Sequence, residues 1–114
     1  MITYDRGDVV LVPFPFSDQT TTKKRPAVVV SSSIFNKQSP DMVILAVTSK
    51  INSTVEIGEC LIENWQAAGL LKPSAIKSAI STVEQTLVLR KLGGLSPSDI
   101  AAMNAALSTW LGLA

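Results

Sequence analysis

The stretch that decides the fold of this chain is RGDVVLVPFPFSDQTTTKKRPAVVVSS, residues 6–32. Two apolar runs, at 9–12 and 27–30, flank the almost wholly polar segment 16–24. Short apolar runs bounded by turn-forming residues are typical of β-strands that are buried on both faces. Because Pro26 lacks an N–H and disfavours a helical conformation at Arg25, we expect the second strand to begin at about Pro26. Arg25 is then a fixed cation at the mouth of that strand.

The rest of the chain continues in short elements separated by turn signals. Residues 63–68 predict one or two helical turns that end at Gly69, a residue suited to the left-handed conformation. Several short strands and one final helix favour a mainly β fold with helices, a small and strongly twisted barrel-like sheet. The expected strands lie at about 7–14, 26–32, 42–48, 54–62 and 75–81, with a further strand or a short helix within 83–92.

The C-terminal helix has the clearest boundary signals. Ser96 is a good N-cap, Pro97 suits the first helical position, and Asp99 lies in the first turn, where the helix dipole favours an acid. One apolar stripe then follows at helical spacing. It consists of Ile100, Met103, Leu107, Trp110 and Leu111.

Length and composition predict one compact domain over residues 1–114. The chain is 46% hydrophobic and has no apolar run of the 18 or so residues that a membrane span needs. It also has no recognisable leader, so we expect a soluble, cytoplasmic protein with no membrane association. The single cysteine, Cys60, predicts a buried structural thiol. Because the chain has no histidine, a Cys/His metal site is excluded, and we expect no metal and no cofactor.

The net charge of +1 predicts no partner, but the basic residues are unevenly distributed, with six of the ten in the first fifty positions. If the fold brings residues 23–25, Lys50 and Lys77 together, they form a positive patch suited to a phosphodiester. The other interpretation, ordinary solvated loop charges, stays open at this point.

The ordered series of motifs resembles the MazF/PemK (Kid) family of toxin endoribonucleases. The resemblance covers nearly the whole chain and implies an SH3-like barrel with a C-terminal helix, the fold shared by the Kid, MazF and CcdB toxins. The matching pieces are Arg6-Gly7-Asp8, the RPAVV run at 25–29, Asn36, the strand 43–48 with Ser49-Lys50, the segment 69–74 and the LGGLS run at 92–96.

RNA cleavage without histidine or metal is chemically feasible, because the 2′-hydroxyl nucleophile is already in the substrate. Arg25 suits the phosphate, since a guanidinium stays charged and forms forked hydrogen bonds to two oxygens. Alternatively, Arg25 pairs with Asp18 or Asp8 on the surface. The resemblance identifies Arg25 as the family's catalytic arginine.

Thr48 is the second candidate catalytic residue. It ends the apolar run 43–47, which places its hydroxyl beside Ser49 and Lys50. A β-branched threonine also simply suits a strand. The match to the family's strand-end threonine favours the catalytic role.

The remaining candidates bind substrate. Residues 17–20 correspond to the family's mobile substrate-contacting loop, in which Asp18 either accepts a hydrogen bond from RNA or forms an Asx-type turn. Phe14 and Phe16 either stack on bases or belong to the core. The expected substrate-binding set is Phe16, Ser17, Asp18, Gln19, Thr20, Lys24, Ser49, Lys50 and Lys77.

One departure concerns the family's I-R-T segment, for which the best match here is Ile80-Ser81-Thr82. The positive charge is absent at Ser81, and we expect Lys77 to replace it as a point charge without the guanidinium fork.

These residues and the resemblance together predict a homodimeric, metal-independent toxin endoribonuclease that inhibits growth by cleaving single-stranded mRNA at a short sequence. The resemblance implies transesterification through a 2′,3′-cyclic phosphate and inhibition by a small acidic antitoxin. Surplus apolar surface on the runs 9–12 and 43–47 and at Leu111 and Leu113 favours the dimer. The alternatives are a non-catalytic toxin of the same fold that poisons DNA gyrase, as CcdB does, and an inactive relative that only binds an antitoxin.

Overall fold

The computed structural model describes residues 3–15, 22–51 and 58–113. Their strands form a six-stranded antiparallel sheet in the order β4-β5-β3-β2-β1-β6, curled into a half-barrel with a C-terminal helix. This confirms the mainly β fold. The elements are β1 (Asp8–Pro15), β2 (Thr22–Val29), α1 (Ser33–Gln38), β3 (Asp41–Thr48), β4 (Glu59–Ile62), β5 (Ser74–Glu84), a 3₁₀ turn (Gln85–Leu87), β6 (Arg90–Gly94) and α2 (Pro97–Leu111).

Alternate residues of the central strands pack into two separate cores, one on each face of the sheet. Val9 and Val28 belong to the core under α2, whereas Val10 and Ala27 belong to the core on the opposite face. Each fully buried valine contributes about 1.5–3 kcal/mol relative to an exposed one. The expectation that the runs 9–12 and 43–47 leave surplus apolar surface is therefore wrong, because most of their side chains are buried within one chain.

β2 begins at Thr22, four residues before the predicted start, so Arg25 lies within the strand and not at its mouth. Pro26 pairs with Leu11 of β1. The N–H of Val30 points to β3 and donates to the carbonyl of Val43 (2.9 Å). Because N–H directions alternate along a strand, position 26 would also point its N–H to β3, and proline has none. Pairing with β3 accordingly covers only 27–29, while pairing with β1 continues to Thr22.

Three other segments differ from the sequence expectation. The helix α1 was not predicted; it is capped by the Ser32 hydroxyl, which accepts from the N–H of Phe35 (3.2 Å). The region 83–92 divides between the end of β5, the 3₁₀ turn and β6. Of the strand expected at 54–62, the structure shows β4, and residues 52–57 lie outside the described ranges.

The capping signals of α2 are confirmed. The Ser96 hydroxyl accepts from the N–H of Asp99 (3.2 Å), and Met103 and Leu107 are buried against the core. Asp99 also accepts hydrogen bonds from outside the helix. It is 2% exposed, and its two carboxylate oxygens accept from the backbone N–H groups of Glu63 and Asn64, both at 2.9 Å. This carboxylate thus ties the first turn of α2 to the turn that follows β4.

The helical turn expected at 63–68 is present and ends at Gly69, whose φ of 83° is left-handed. Cys60 is half-buried, less than expected, because it lies on the edge strand β4 and only partly under α2. Burial, and secondarily the charge of Asp99, raises the pKa of its thiol. Within the described ranges, no helix is long and apolar enough to cross a membrane.

Candidate functional site

A cleft of about 530 Å³ opens where β2 and β3 stop pairing. We call it the basic cleft. Its lining comes from residues 23–26 of β2, from the end of β3 and the residue after it, from the segment before β5, and from β1 and β6. These residues are Leu11, Lys23, Lys24, Arg25, Pro26, Val47, Ser49, Gly69, Leu70, Leu71, Lys72, Ser74, Arg90 and Leu92.

The basic cleft has an apolar floor and a cationic border. The floor includes Leu11, Val47 and Leu70, and the last two belong to the core under α2. Five basic side chains line the cleft, and none of the described lining residues is acidic. A surface with this charge and shape is suited to an anion that carries a flat apolar group. Its basic residues are Lys23, Lys24, Arg25, Lys72 and Arg90.

The two predicted catalytic residues share one face of the sheet, the face of Ala27 and Val12, whereas Pro26 and Leu11 of the cleft project from the opposite face. The last paired residues of β2 and β3 are Ala27 and Ala46. Two residues further along each strand, the same register sets Arg25 opposite Thr48, and residues two apart in a strand share a face. These two residues therefore follow the last strand pair, one on each side of the point where the strands separate.

Burial and hydrogen bonding define the two side chains further. Arg25 is half-buried, and its Nε is out of contact with solvent. Thr48 is 7% exposed, and its Oγ1 accepts from the backbone N–H of Lys50 (3.1 Å). The hydroxyl lies at the strand end beside Lys50, where it is largely buried. Because its oxygen is the acceptor there, its O–H remains available as a donor.

The other candidates divide into three groups. Lys24 and Ser49 line the basic cleft, and Lys50 is an exposed side chain directly after Ser49. Lys77 does not line the cleft. The loop candidates Phe16, Ser17, Asp18, Gln19 and Thr20 lie outside the described ranges, as does the side chain of Phe14.

The pairing of β5 with β3 shows where positions 77 and 81 lie relative to Thr48. Thr48 pairs with Ala75, and Lys77 follows two residues later on the same face, about 7 Å along the strand. Ser81 pairs with Ile44, four residues from Thr48, which is about 13 Å along β3. The position near Arg25 and Thr48 is therefore 77, which carries a positive charge, and not 81.

Two cations of the cleft, Lys72 and Arg90, were missed by the sequence analysis. Arg90 pairs with Leu11 across β6 and β1, so both side chains project from the same face as Pro26. Only the register of three strands reveals this, and no local motif signals it. Among the described residues, no group of three or more Cys, Asp or Glu side chains is arranged to hold a metal ion.

Residues 5–111 match the family described as PemK-like, MazF-like toxin of type II toxin-antitoxin system, and the chain belongs to that family. This confirms the resemblance drawn from the sequence motifs.

Solved structures of similar fold agree with this membership. MazE-MazF from Deinococcus radiodurans has a TM-score of 0.80 at 17% identity, with 100% of both chains covered. An endoribonuclease in complex with its cognate antitoxin from Mycobacterial species has a TM-score of 0.75 at 20% identity, covering 98% of this chain and 96% of that one. Mycobacterium tuberculosis toxin MazF-mt6 has a TM-score of 0.75 at 15% identity, covering 92% and 96%. No curated protein matches the chain.

Proposed function

We propose that this protein is a toxin endoribonuclease that cleaves single-stranded mRNA in the cytoplasm without a metal ion. The observation that carries the proposal is the opposition of Arg25 and Thr48 just beyond the last pair of β2 and β3. A phosphodiester placed between them has a permanent cation on one side and a hydroxyl donor on the other. Family membership and the endoribonuclease among the structures of similar fold support the same activity.

The reaction that fits this geometry is transesterification. The 2′-oxygen loses its proton and attacks phosphorus, the bond from phosphorus to the 5′-oxygen breaks, and that oxygen takes up a proton. The products are a 2′,3′-cyclic phosphate and a 5′-hydroxyl. Arg25 donates to two non-bridging oxygens as charge develops on them, and the Thr48 O–H donates to the same phosphoryl group.

The main test compares Arg25→Ala with Lys37→Ala on a long single-stranded RNA in the presence of EDTA. Lys37 is an exposed cation on α1, so its replacement removes the same charge away from the cleft. We expect Arg25→Ala to lose about a hundredfold or more in cleavage rate, because one transition-state donor is removed. Circular dichroism should show both variants folded. Equal cleavage by both would reject the role of Arg25, and no cleavage by the wild type would favour a gyrase-binding or inactive protein.

Thr48 is tested by a pair of variants that differ in the hydroxyl. Thr48→Val preserves the shape and removes the O–H, whereas Thr48→Ser retains the O–H. We expect cleavage to fall strongly with valine and to remain with serine. If both variants lose activity equally, the side chain supports the strand end and does not contact the phosphate.

We further propose a homodimer that is inhibited by a small acidic antitoxin. The exposed Leu111 and Leu113 at the end of α2 supply apolar surface for the first contact, and the basic border of the cleft complements acidic groups in the second. The solved MazE-MazF and endoribonuclease–antitoxin complexes support an antitoxin partner. Sedimentation at low micromolar concentration should give twice the chain mass. A monomeric mass with full nuclease activity would contradict the dimer.

A further inference from the structure

We propose that Glu59 is the general base of the cleavage reaction, the group that accepts the proton from the 2′-hydroxyl of the RNA. This inference rests on the proposed nuclease function. It assigns a role to a residue of β4 that was not predicted from the sequence and that does not line the basic cleft.

The catalytic pair does not itself contain a proton acceptor. The guanidinium of Arg25 has donors only, and it keeps its proton at every working pH. Oγ1 of Thr48 already accepts from the N–H of Lys50 (3.1 Å), which leaves the hydroxyl as a donor. Because the chain has no histidine, a carboxylate is the side chain that suits the task, since its ionised form at neutral pH only accepts.

The register of three strands places Glu59 near Thr48. Thr48 of β3 pairs with Ala75 of β5, and Ala75 pairs with Leu61 of β4. Glu59 lies two residues before Leu61, directly opposite Lys77, which lies two residues after Ala75. Residues two apart in a strand share a face, so all five side chains project from one face of the sheet.

The residues between them confirm which face this is. Cys60 and Ile76, the intervening pair of β4 and β5, contact the core under α2. Glu59 and Lys77 therefore project from the opposite face, which is the face of the catalytic pair. Within the described part of the chain, no ion pair or hydrogen bond engages the Glu59 carboxylate.

The spacing suits a single nucleotide linkage. Neighbouring strands lie about 4.8 Å apart and successive residues about 3.3 Å apart, so the Cα atoms of Thr48 and Glu59 are about 12 Å apart. Ala75 between them is buried and carries only a methyl group, whereas Glu59 is half-buried and Lys77 is exposed. A phosphodiester bound at Thr48 has its ribose over this alanine, and Glu59 extends to the 2′-hydroxyl from the far side. A general base needs an approach of about 2.6–3.2 Å.

The other acidic residues on the described strands are engaged or distant. Asp8 shares the face of the catalytic pair, but its Oδ1 pairs with Lys91 (3.2 Å) and its Oδ2 accepts from a backbone N–H (2.9 Å). Asp41 and Glu84 pair with each other at the opposite end of β3 and β5, seven residues or about 23 Å from Thr48.

The step leaves the carboxylate unchanged at the end of each turnover. The Glu59 carboxylate takes the 2′-proton as the 2′-oxygen attacks phosphorus and the bond from phosphorus to the 5′-oxygen breaks. The 5′-oxygen takes a proton from water, and the hydroxide so formed takes the proton from Glu59. Lys77, opposite Glu59, offsets the repulsion between the carboxylate and the phosphate.

The first test compares Glu59→Gln with Glu84→Gln, which removes an exposed acid at the far end of β5. We expect Glu59→Gln to lower kcat by about a hundredfold or more, the usual contribution of a general base, and Glu84→Gln to cleave like the wild type. The affinity of Glu59→Gln for a fluorescent RNA pool with 2′-fluoro riboses, which cannot form the cyclic phosphate, should not fall, because an anion has been removed. Glu59→Asp retains a carboxylate and should retain more activity than Glu59→Gln.

A glutamate opposite a lysine is also the arrangement of an ion pair that only ties two strands together. The Lys77→Ala background separates the two roles. A base acts without the lysine, so Glu59→Gln should lower kcat by a similar factor in the wild type and in Lys77→Ala. If the effect disappears in Lys77→Ala, Glu59 only positions Lys77 and the inference is wrong.

A substrate with sulfur in place of the 5′-oxygen at the mapped cleavage site distinguishes a base from an acid. A thiolate leaves without being protonated, so the loss caused by Glu59→Gln should persist if Glu59 acts on the 2′-hydroxyl. Disappearance of the loss would make Glu59 the acid and overturn the inference. Wild-type cleavage by Glu59→Gln would also reject it while the nuclease assignment stands, whereas a wild type that cleaves no RNA would reject both proposals.

Discussion

Replacing Gly69 with alanine tests the backbone contact on which the cleft depends, and Gly112→Ala is its matched control. Both glycines have left-handed φ values, 83° and 67°. A left-handed alanine costs about 1–2 kcal/mol, and the loss of glycine's freedom in the unfolded chain returns about 0.4–1 kcal/mol. Nothing lies within 4 Å of a Cβ on Gly112, so its net cost is only this difference, about 0–1.6 kcal/mol.

At Gly69 the added methyl group also meets the Leu92 carbonyl oxygen at 2.0 Å, against 3.4 Å for an ordinary contact. The neighbour is backbone, so it cannot rotate away, and overpacking of this kind costs about 1–3 kcal/mol more. We therefore expect a total destabilisation of about 3 kcal/mol, which corresponds to a fall in Tm of about 12 °C for a chain of this size.

Urea unfolding and differential scanning calorimetry measure both variants. If Gly69→Ala is no less stable than Gly112→Ala, the backbones at Gly69 and Leu92 are not in contact, and this reasoning is refuted.

Three further predictions concern single side chains. Asp99→Ala leaves two backbone N–H groups without their acceptor and should destabilise by about 3 kcal/mol in urea, at about 1–3 kcal/mol for each group, whereas the exposed Asp5→Ala should not. Lys77→Ala should lower the slope of log RNA affinity against log salt concentration by about 0.7. Ser81→Arg should leave cleavage unchanged, because position 81 lies about 13 Å from Thr48 along β3. A gain in cleavage with Ser81→Arg would refute this placement. Cys60 should react with iodoacetamide more slowly than free cysteine at pH 8 and accelerate at higher pH, because its raised pKa keeps the thiol protonated; a faster reaction at pH 8 would contradict this.

Features with local causes could be predicted from the sequence. The start of α2 follows from Ser96 and Pro97, whose preferences act within one helical turn, and β1 follows from an apolar run bounded by turn residues. Gly69 was placed correctly for the same reason, since the left-handed conformation is a property of a single residue. The choice of Arg25 and Thr48 needed the family resemblance in addition.

Features that depend on strand register could not be predicted. Arg90 is assigned to the cleft only by its pairing with Leu11, and Lys72 only by the packing of its segment against β6. Whether position 77 or position 81 lies near Thr48 depends on an irregularity in the pairing of β3 with β5. Leu45 pairs with Ile80 and Val47 pairs with Ile76, so two steps along β3 correspond to four steps along β5. No periodicity in one segment reports such a shift, because it is a relation between two segments.

Pro26 explains why the basic cleft lies where it does. Because this residue has no N–H for β3, β2 continues toward Thr22 paired to β1, and among the described residues its pairing with β3 ends at Ala27. Residues 23–25 lie in this part of β2 and are all basic, so they attract phosphate. One residue without a donor thus opens the cleft, leaves Arg25 opposite Thr48 beyond the last strand pair, and gives a negatively charged chain the space between the strands.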